Sequence, residues 1–283
     1  MPNAILLAHG PLRHGLAASL TGFVYRSGGT IVGHDQYVDP ELRRYYVRLA
    51  WEIDGSTISR DDLPAAVADT TRSLGLEGDL GFSDVPARVA IFVSTLSHCL
   101  YDILGRWRSG EWTLEVPLIV SNHGVLADVA RRFAVEFHEF EMTPETHAEQ
   151  ERRQIALLRE QRIDLIVLAR YMQVLGPELI GAFPGRIINI HHAFLPAFPG
   201  ARPYQAAYRR GVKMIGATSH YVTTELDAGP IIEQDVIRVT HADPVEELVR
   251  RGRDVEKIVL ARAVWAHLQR KVIVDGGRTI VFA

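Results

Sequence analysis

The sequence lacks several features that would place it in a common class of protein. Its 283 residues include one cysteine, Cys99, so no disulfide can form within the chain and a reducing, cytoplasmic setting is expected. No run approaches the roughly 18 apolar residues of a membrane-spanning helix, and the first ten residues do not read as a signal peptide. The formal net charge is -3 and no basic run exceeds two residues, so no nucleic-acid partner is expected.

Familiar catalytic motifs are also missing. There is no G-x-S-x-G nucleophile elbow, no H-E-x-x-H or paired cysteine for zinc, and no G-x-G-x-x-G for a dinucleotide. Cys99 is not a good candidate nucleophile, because Leu100, Ile103 and Leu104 share its face of a predicted helix. We therefore expect it in the hydrophobic core.

The order of strands and helices predicts an α/β protein of two domains. The first 85 residues read as strand, helix, strand, strand, helix, strand. A stretch rich in Gly, Asp and Pro at 76–88, which overlaps the end of this unit, is predicted to be the linker. Beyond it, apolar strands alternate with helices, which is typical of a mostly parallel sheet covered on both faces. The predicted domains are 1–84 and 88–283, the second ending in a long amphipathic helix and a hairpin turned at 275–277.

Candidate catalytic residues lie where strands of that sheet end, which is where ligands gather in open α/β sheets. The strand RIINI brings Asn189 and His191 to one side, and alternation predicts that His192 points away. Asp227 lies in a turn between two later strands, a place where aspartate needs no function. His220, taken alone, reads as a hydrogen-bonded structural histidine. Together an amide, an imidazole and a carboxylate form a plausible site, with a metal site of His191, His192 and Asp227 as a lesser alternative.

The residues around this site resemble a known family. The stretch NIHHAFLPAFPGARPYQAAYRRGVKMIGATSHYV, followed by LDAGPII, is similar to the signature of the folate-dependent formyltransferase fold. Within that superfamily the formyltetrahydrofolate deformylase family is most similar, through SHCLYDIL, SNH, LARYMQVL and GRDVEKIVLARAV. The resemblance implies an N-terminal ACT domain of ferredoxin-like βαββαβ order and a C-terminal Rossmann-like formyltransferase fold with a mostly parallel sheet.

The resemblance also implies an activity and a set of roles. The reaction would be hydrolysis of 10-formyltetrahydrofolate to tetrahydrofolate and formate, feeding purine biosynthesis and balancing one-carbon pools, with no metal or other cofactor. Asn189 and His191 would stabilise the oxyanion, and Asp227 would take the proton of the attacking water, with its pKa raised by burial. The implied folate-binding residues are Met172, Gln173, Val174, Leu175, His220 and Gly229.

The segment after His191 is rich in proline and glycine, which would restrict its backbone and let it wall the site. The residues concerned are Pro196, Pro199, Gly200 and Pro203. A rigid loop that merely caps the sheet is the alternative interpretation of this pattern.

Two positions depart from the family pattern. Leu12 stands where ACT domains of this family usually have aspartate, which weakens the expectation of an amino-acid effector, although homo-oligomers through ACT domains are still expected. Ser97-His98-Cys99 replaces the Gly-Ser-Asn loop that holds the substrate phosphate in glycinamide ribonucleotide formyltransferases. This favours water over a phosphorylated amine as acceptor. A formyltransferase acting on an amine and a non-catalytic folate sensor are the alternatives.

Overall fold

The computed structural model describes residues 2–197 and 203–283, and the chain divides into two compact units. The first unit holds the residues up to Pro86 together with 266–275 and 279–283, and the second holds Ala87–Trp265 with 276–278. The division after Pro86 lies inside the predicted linker. The predicted second domain ran to residue 283, whereas most of the chain beyond Trp265 groups with the first unit.

The first unit has the predicted βαββαβ order. Its strands form a four-stranded antiparallel sheet in the order β2-β3-β1-β4, which is a ferredoxin-like arrangement. The elements are β1 (Asn3–Pro11), α1 (Leu16–Arg26), β2 (Thr30–Asp39), β3 (Arg44–Glu52), α2 (Leu63–Ser73) and β4 (Glu77–Phe82).

The second unit is a mixed sheet with helices between its strands. The strand order is β11-β10-β9-β8-β5-β6-β7, in which the strands from β9 to β7 run parallel and β10 runs antiparallel to both of its neighbours, β9 and β11. The elements are β5 (Ala87–Val93), α3 (His98–Arg108), β6 (Leu114–Ser121), α4 (Ala127–Arg132), β7 (Glu136–Glu139), α5 (His147–Glu160), β8 (Leu165–Leu168), α6 (Pro177–Ala182), β9 (Ile187–His191), α7 (Pro203–Arg210), β10 (Met214–Tyr221), β11 (Ile231–Arg238) and α8 (Val245–Leu268).

The central strands β5, β6 and β8 each contain a continuous apolar run because both faces of the sheet are covered. Every residue from Val89 to Val93 is completely buried. The apolar pattern therefore identified these strands. It did not identify β7, whose sequence EFHE has no apolar run, nor the short helices α6 and α7. A short 3-10 turn at Gly124–Leu126 leads into α4.

The chain ends in the predicted hairpin, β12 (Val272–Asp275) and β13 (Arg278–Val281). Its position explains why side chains on both faces of β3 are buried. One face of β3, including Trp51, packs in the core of the first unit. On the opposite face Tyr46 is fully buried, and it packs against Ile273 and Phe282 from the end of the chain.

No helix in the described part of the chain combines the length and the apolar character needed to cross a membrane.

Candidate active site

A cleft of about 260 Å³ opens at the carboxyl ends of β8 and β9. The two strands are parallel neighbours, so the segments that follow them meet at one edge of the sheet. The turn between β10 and β11 closes the cleft on the other side. All but one of the predicted catalytic and folate-binding residues line it: Met172, Gln173, Val174, Leu175, Asn189, His191, His220 and Asp227. Gly229 is the exception and lies two residues beyond Asp227.

The turn that carries Asp227 is shaped by its backbone. Asp227 has a φ of 55°, a left-handed conformation that aspartate tolerates better than most residues. A Cβ atom at Gly229 would overlap the carbonyl oxygen of Tyr221, so only glycine lets the chain return this close to β10. The carboxylate is thereby placed 3.3 Å from His191 Nδ1 and 3.7 Å from His220 Nε2.

Strand register brings the amide to the same place. Asn189 on β9 lies directly opposite His220 on β10, and their side chains meet with Asn189 Nδ2 3.3 Å from His220 Nε2. His220 Nδ1 lies 2.9 Å from the carbonyl oxygen of Tyr221, which can only accept a hydrogen bond. Nδ1 therefore carries the proton, and in the neutral ring Nε2 accepts a hydrogen bond from the amide of Asn189. His220 thus fixes which way the Asn189 amide points, a link that no sequence pattern revealed.

The pKa of Asp227 is shifted in the direction opposite to the one expected from its burial. Hydrogen bonding to His191 is the largest cause that holds the pKa of the Asp227 carboxyl well below its usual range, and it outweighs the effect of burial. The expectation of a raised pKa was therefore wrong. The reason is that an imidazole at the end of β9 faces a carboxylate in the turn after β10.

His191 has one engaged and one unengaged nitrogen. Nδ1 faces Asp227, whereas the buried Nε2 has no hydrogen-bond partner among the described residues, and the side chain lines the cleft. His192 also lines the cleft, with its ring centroid 5.2 Å from that of His191. The prediction that His192 points away assumed that the strand continues, but β9 ends at His191.

The segment after His192 is tied to the sheet by polar side chains as well as restricted by proline. The buried hydroxyl of Thr218 donates to the carbonyl of Ala193 at 2.9 Å and accepts the N–H of Leu195 at 3.0 Å. Gln234 donates to the carbonyl of Leu195 at 3.1 Å. Pro196 follows directly, whereas the predicted contributions of Pro199, Gly200 and the side chain of Pro203 lie outside the described residues.

A buried charged cluster beside the cleft was missed by the sequence reading. Glu256 on α8 is 1% exposed and accepts hydrogen bonds from His98 Nε2 at 2.8 Å and from the Tyr204 hydroxyl at 2.6 Å. Arg170 Nε lies 3.4 Å from the same carboxylate, and the arginine lines the cleft. Burial raises the pKa of Glu256, but His98, Arg170 and Tyr204 together lower it further, so the carboxyl is ionised.

This cluster bears on the metal question. Among the described residues, the three potential metal ligands that come together are His98, Cys99 and Glu256, not His191, His192 and Asp227. The guanidinium of Arg170 next to Glu256 opposes a cation there.

The fold and the cleft match known proteins closely. The second unit is a mixed sheet with an amide, imidazoles and a carboxylate at its carboxyl edge. Residues 87–264 match the family model described as Formyl transferase. The curated formyltetrahydrofolate deformylase of Synechocystis sp. is 48% identical over 281 residues, covering 99% of each chain. That of Escherichia coli is 40% identical, covering 96% of this chain and 95% of its own.

Solved structures agree with this assignment. A formyltetrahydrofolate deformylase from Pseudomonas syringae superposes with a TM-score of 0.97 at 38% identity, covering 100% of this chain and 95% of its own. Glycinamide ribonucleotide transformylase 1 from Symbiobacterium toebii covers 72% of this chain and 98% of its own, with a TM-score of 0.67 at 30% identity. The chain belongs to the formyl transferase family and, within it, to the formyltetrahydrofolate deformylases.

Proposed function

We propose that this protein hydrolyses 10-formyltetrahydrofolate to tetrahydrofolate and formate, with Asn189, His191 and Asp227 as the catalytic residues. The observation that carries the proposal is their convergence at one end of a cleft whose other wall is apolar. The folate ring would lie against the apolar wall, and the formyl group would reach the polar end. We further propose that the released formate feeds purine biosynthesis and that the reaction balances the one-carbon folate pool.

His191 is suited to stabilise the oxyanion of the tetrahedral intermediate. Its Nδ1 faces the carboxylate of Asp227, which can stabilise positive charge that develops on the ring, as the aspartate of a catalytic triad does. When both ring nitrogens carry a proton, the buried, unengaged Nε2 can donate to the formyl oxygen as negative charge develops there.

Asn189 supplies a second donor. Because one hydrogen of its Nδ2 is directed at His220, the amide is held in one orientation and the second hydrogen is free for the substrate carbonyl. His220 is therefore a residue that positions Asn189. This role differs from the direct folate contact that the resemblance implied.

Asp227 is ionised at the start of the reaction, so it can accept a hydrogen bond from the attacking water. Its low pKa makes it a weak base toward free water. Once the water oxygen bonds to the formyl carbon, however, its protons become strongly acidic, and a weak base held in place is sufficient to remove one. The proton can then be passed to the leaving nitrogen of the folate.

The nature of the acceptor is tested by one assay. Purified protein is supplied with 10-formyltetrahydrofolate and no amine, and formate and tetrahydrofolate are both measured. Equal and continuous release of the two supports hydrolysis. Release that needs an added amine would support the formyltransferase alternative, and folate binding with no release at all would support the sensor.

We propose that no metal or other cofactor takes part, because the proton and charge transfers above are all assigned to side chains. Dialysis against a chelator should leave the activity unchanged. A loss of activity that is restored by a divalent cation would contradict this. We also propose a cytoplasmic location, supported by a single cysteine that is buried.

A homo-oligomer through the ACT-like domain is our proposal for the protein's partner. The edge strand β2 spans ten residues and exposes apolar side chains, among them Val32 and Val38, in a unit where long bare edges invite pairing. Replacing Val32 by lysine should lower the mass measured by analytical ultracentrifugation. An unchanged mass would reject this edge. Leu12 packs on the core of the first unit and offers no charge to an amino-acid effector, so we propose none at that loop.

A further inference from the structure

The apolar wall of the cleft is formed by the chain between β8 and α6, here called the wall segment (residues 172–176). Met172 and Val174 are 52% and 62% exposed, although both are large apolar residues that line the cleft. These two side chains pack on little of the protein, whereas Leu175 between Val174 and Gly176 is buried in the core. The position of Met172 and Val174 in the open cleft therefore depends on how the backbone of the segment is held.

The first tie of the wall segment is at its start. The N–H of Met172 donates to the hydroxyl of Ser94 at 2.9 Å, and this hydroxyl donates to Asn122 Oδ1 at 2.6 Å. Ser94 and Asn122 follow the adjacent central strands β5 and β6. The start of the segment is therefore fixed by the sheet itself.

The second tie is at the end of the wall segment and comes from helix α5. The N–H of Gly176 donates to Glu151 Oε1 at 2.6 Å, and Glu151 is 4% exposed. A Cβ atom at position 176 would overlap the other carboxylate oxygen, so glycine is needed for this approach. A carboxylate is rarely buried in a helix face without a partner, and here the partner is a backbone group of the cleft.

The third tie comes from the same face of α5, one turn earlier. His147 Nε2 lies 3.1 Å from the carbonyl oxygen of Val174, to which it must donate. His147 and Glu151 are four residues apart and therefore neighbours on the helix surface, with Nδ1 4.0 Å from Glu151 Oε2. Side chains of helix α5 thus hydrogen-bond to the backbone of the wall segment on both sides of Leu175, at Val174 and at Gly176.

We propose that Glu151 and His147 are positioning residues for the folate. They fix the backbone of the wall segment against which the ring lies, and neither is within the group that acts on the formyl carbon. The catalytic residues are held by β9, β10 and the turn after β10, and the hydrogen bonds and ion pair of Glu151 and His147 given above join them to none of these elements. Loss of Glu151 or His147 should therefore weaken folate binding and leave the chemical step unaltered. The inference rests on the proposed function for the identity of the ligand.

The test compares Glu151→Met, Glu151→Gln and His147→Leu with the wild-type protein. Methionine keeps the size and removes the acceptor, whereas glutamine keeps an acceptor oxygen for the N–H of Gly176. Glu149→Met is the matched control, because it makes the same change two residues away on an exposed face of α5. For each protein the Kd of tetrahydrofolate is measured by fluorescence titration, kcat and KM by formate release, and folding by thermal melting.

We expect Glu151→Met to raise Kd and KM about tenfold, the effect of leaving one buried N–H without its acceptor. Its kcat should stay within about twofold of wild type. Glu151→Gln should restore most of the affinity, and Glu149→Met should behave as wild type. His147→Leu should raise KM less than Glu151→Met does, because the histidine side chain is partly exposed.

Three results would overturn the inference: an unchanged Kd in folded Glu151→Met, a fall in kcat that accounts for the whole loss, or a glutamine variant as weak as the methionine one. If Glu151→Met does not fold, His147→Leu decides by the same split between KM and kcat. If the wild type binds tetrahydrofolate but releases no formate, the proposed function fails and the Kd ratios alone judge the inference. If it binds no folate, both fail.

Discussion

Replacing Asp227 by asparagine removes a charge and almost no volume, which makes it the sharpest test of the site. The carboxylate lies 3.3 Å from His191 Nδ1 and 3.7 Å from His220 Nε2, so the amide fits the same space. Two functions are lost together: acceptance of the proton from water, and stabilisation of positive charge that develops on His191 during the reaction. Folate affinity should change little, because the wall segment is on the other side of the cleft.

The expected loss can be worked from the two functions. A positioned base and an oxyanion donor each contribute about 10²–10⁴ in rate. They do not multiply here, because both depend on the same His191–Asp227 pair. We therefore expect kcat to fall by about 10³–10⁴, with the Kd of tetrahydrofolate within about threefold of wild type.

The assay follows 10-formyltetrahydrofolate consumption without an acceptor, alongside a binding titration and a thermal melt. Asp235→Asn is the control, since Asp235 is a partly exposed aspartate on β11 that pairs with Arg262 at 3.2 Å outside the cleft. A kcat for Asp227→Asn within tenfold of the control would refute the reasoning. A large rise in Kd would show instead that the carboxylate binds the substrate.

Three more outcomes follow from the same contacts. The pKa of Asp227 is lower in the folded protein than in the unfolded chain, so its carboxylate stabilises the fold above the unfolded value near 3.9, and this stabilisation is lost as the pH falls below it. In thermal melts, the difference in Tm between the wild type and Asp227→Asn should therefore be largest near neutrality and shrink below about pH 4. Gly229→Ala should destabilise the protein by about 1–3 kcal/mol or more in calorimetry and abolish formate release. Gly105→Ala, at a helix position with open space around it, should instead stabilise the protein by about 0.5–1 kcal/mol. Equal effects of the two substitutions would contradict the packing argument. Burial raises the pKa of the Cys99 thiol, so iodoacetamide should label it only after denaturation, and rapid native labelling would place it nearer the surface.

The sequence was most informative where one strand determines the outcome. Asn189 and His191 were placed on one side by the alternation of a single strand, and both line the cleft. The continuous apolar runs identified the central strands for the same reason, since burial on both faces leaves no polar positions. Prediction failed for His192, because alternation says nothing about where a strand ends.

The failures at the site have a different cause. The ionisation of Asp227 depends on the imidazole of His191 on β9, and only the pairing of β9 with β10 brings it near the turn that carries the carboxylate. Glu256 and Glu151 likewise look like ordinary charged positions of amphipathic helices, yet both are buried against partners distant in sequence. Pairwise contacts of this kind leave no mark on local periodicity.

The Glu256 cluster gives a physical reason why water should be the acceptor. In the related transferases that the sequence resembles, a phosphate is held at the helix start that here reads Ser97-His98-Cys99. His98 is engaged by the buried carboxylate of Glu256 at 2.8 Å, and its imidazole takes the place of the small side chains that let a backbone approach a phosphate closely. The fold also accepts local costs to build this cluster: Arg170 adopts a φ of 68°, and glycine is required at position 252 within α8, where any side chain would overlap the Tyr204 hydroxyl. A helix start that offers no cradle for a phosphate does not affect a water molecule, and the cluster therefore favours hydrolysis over transfer.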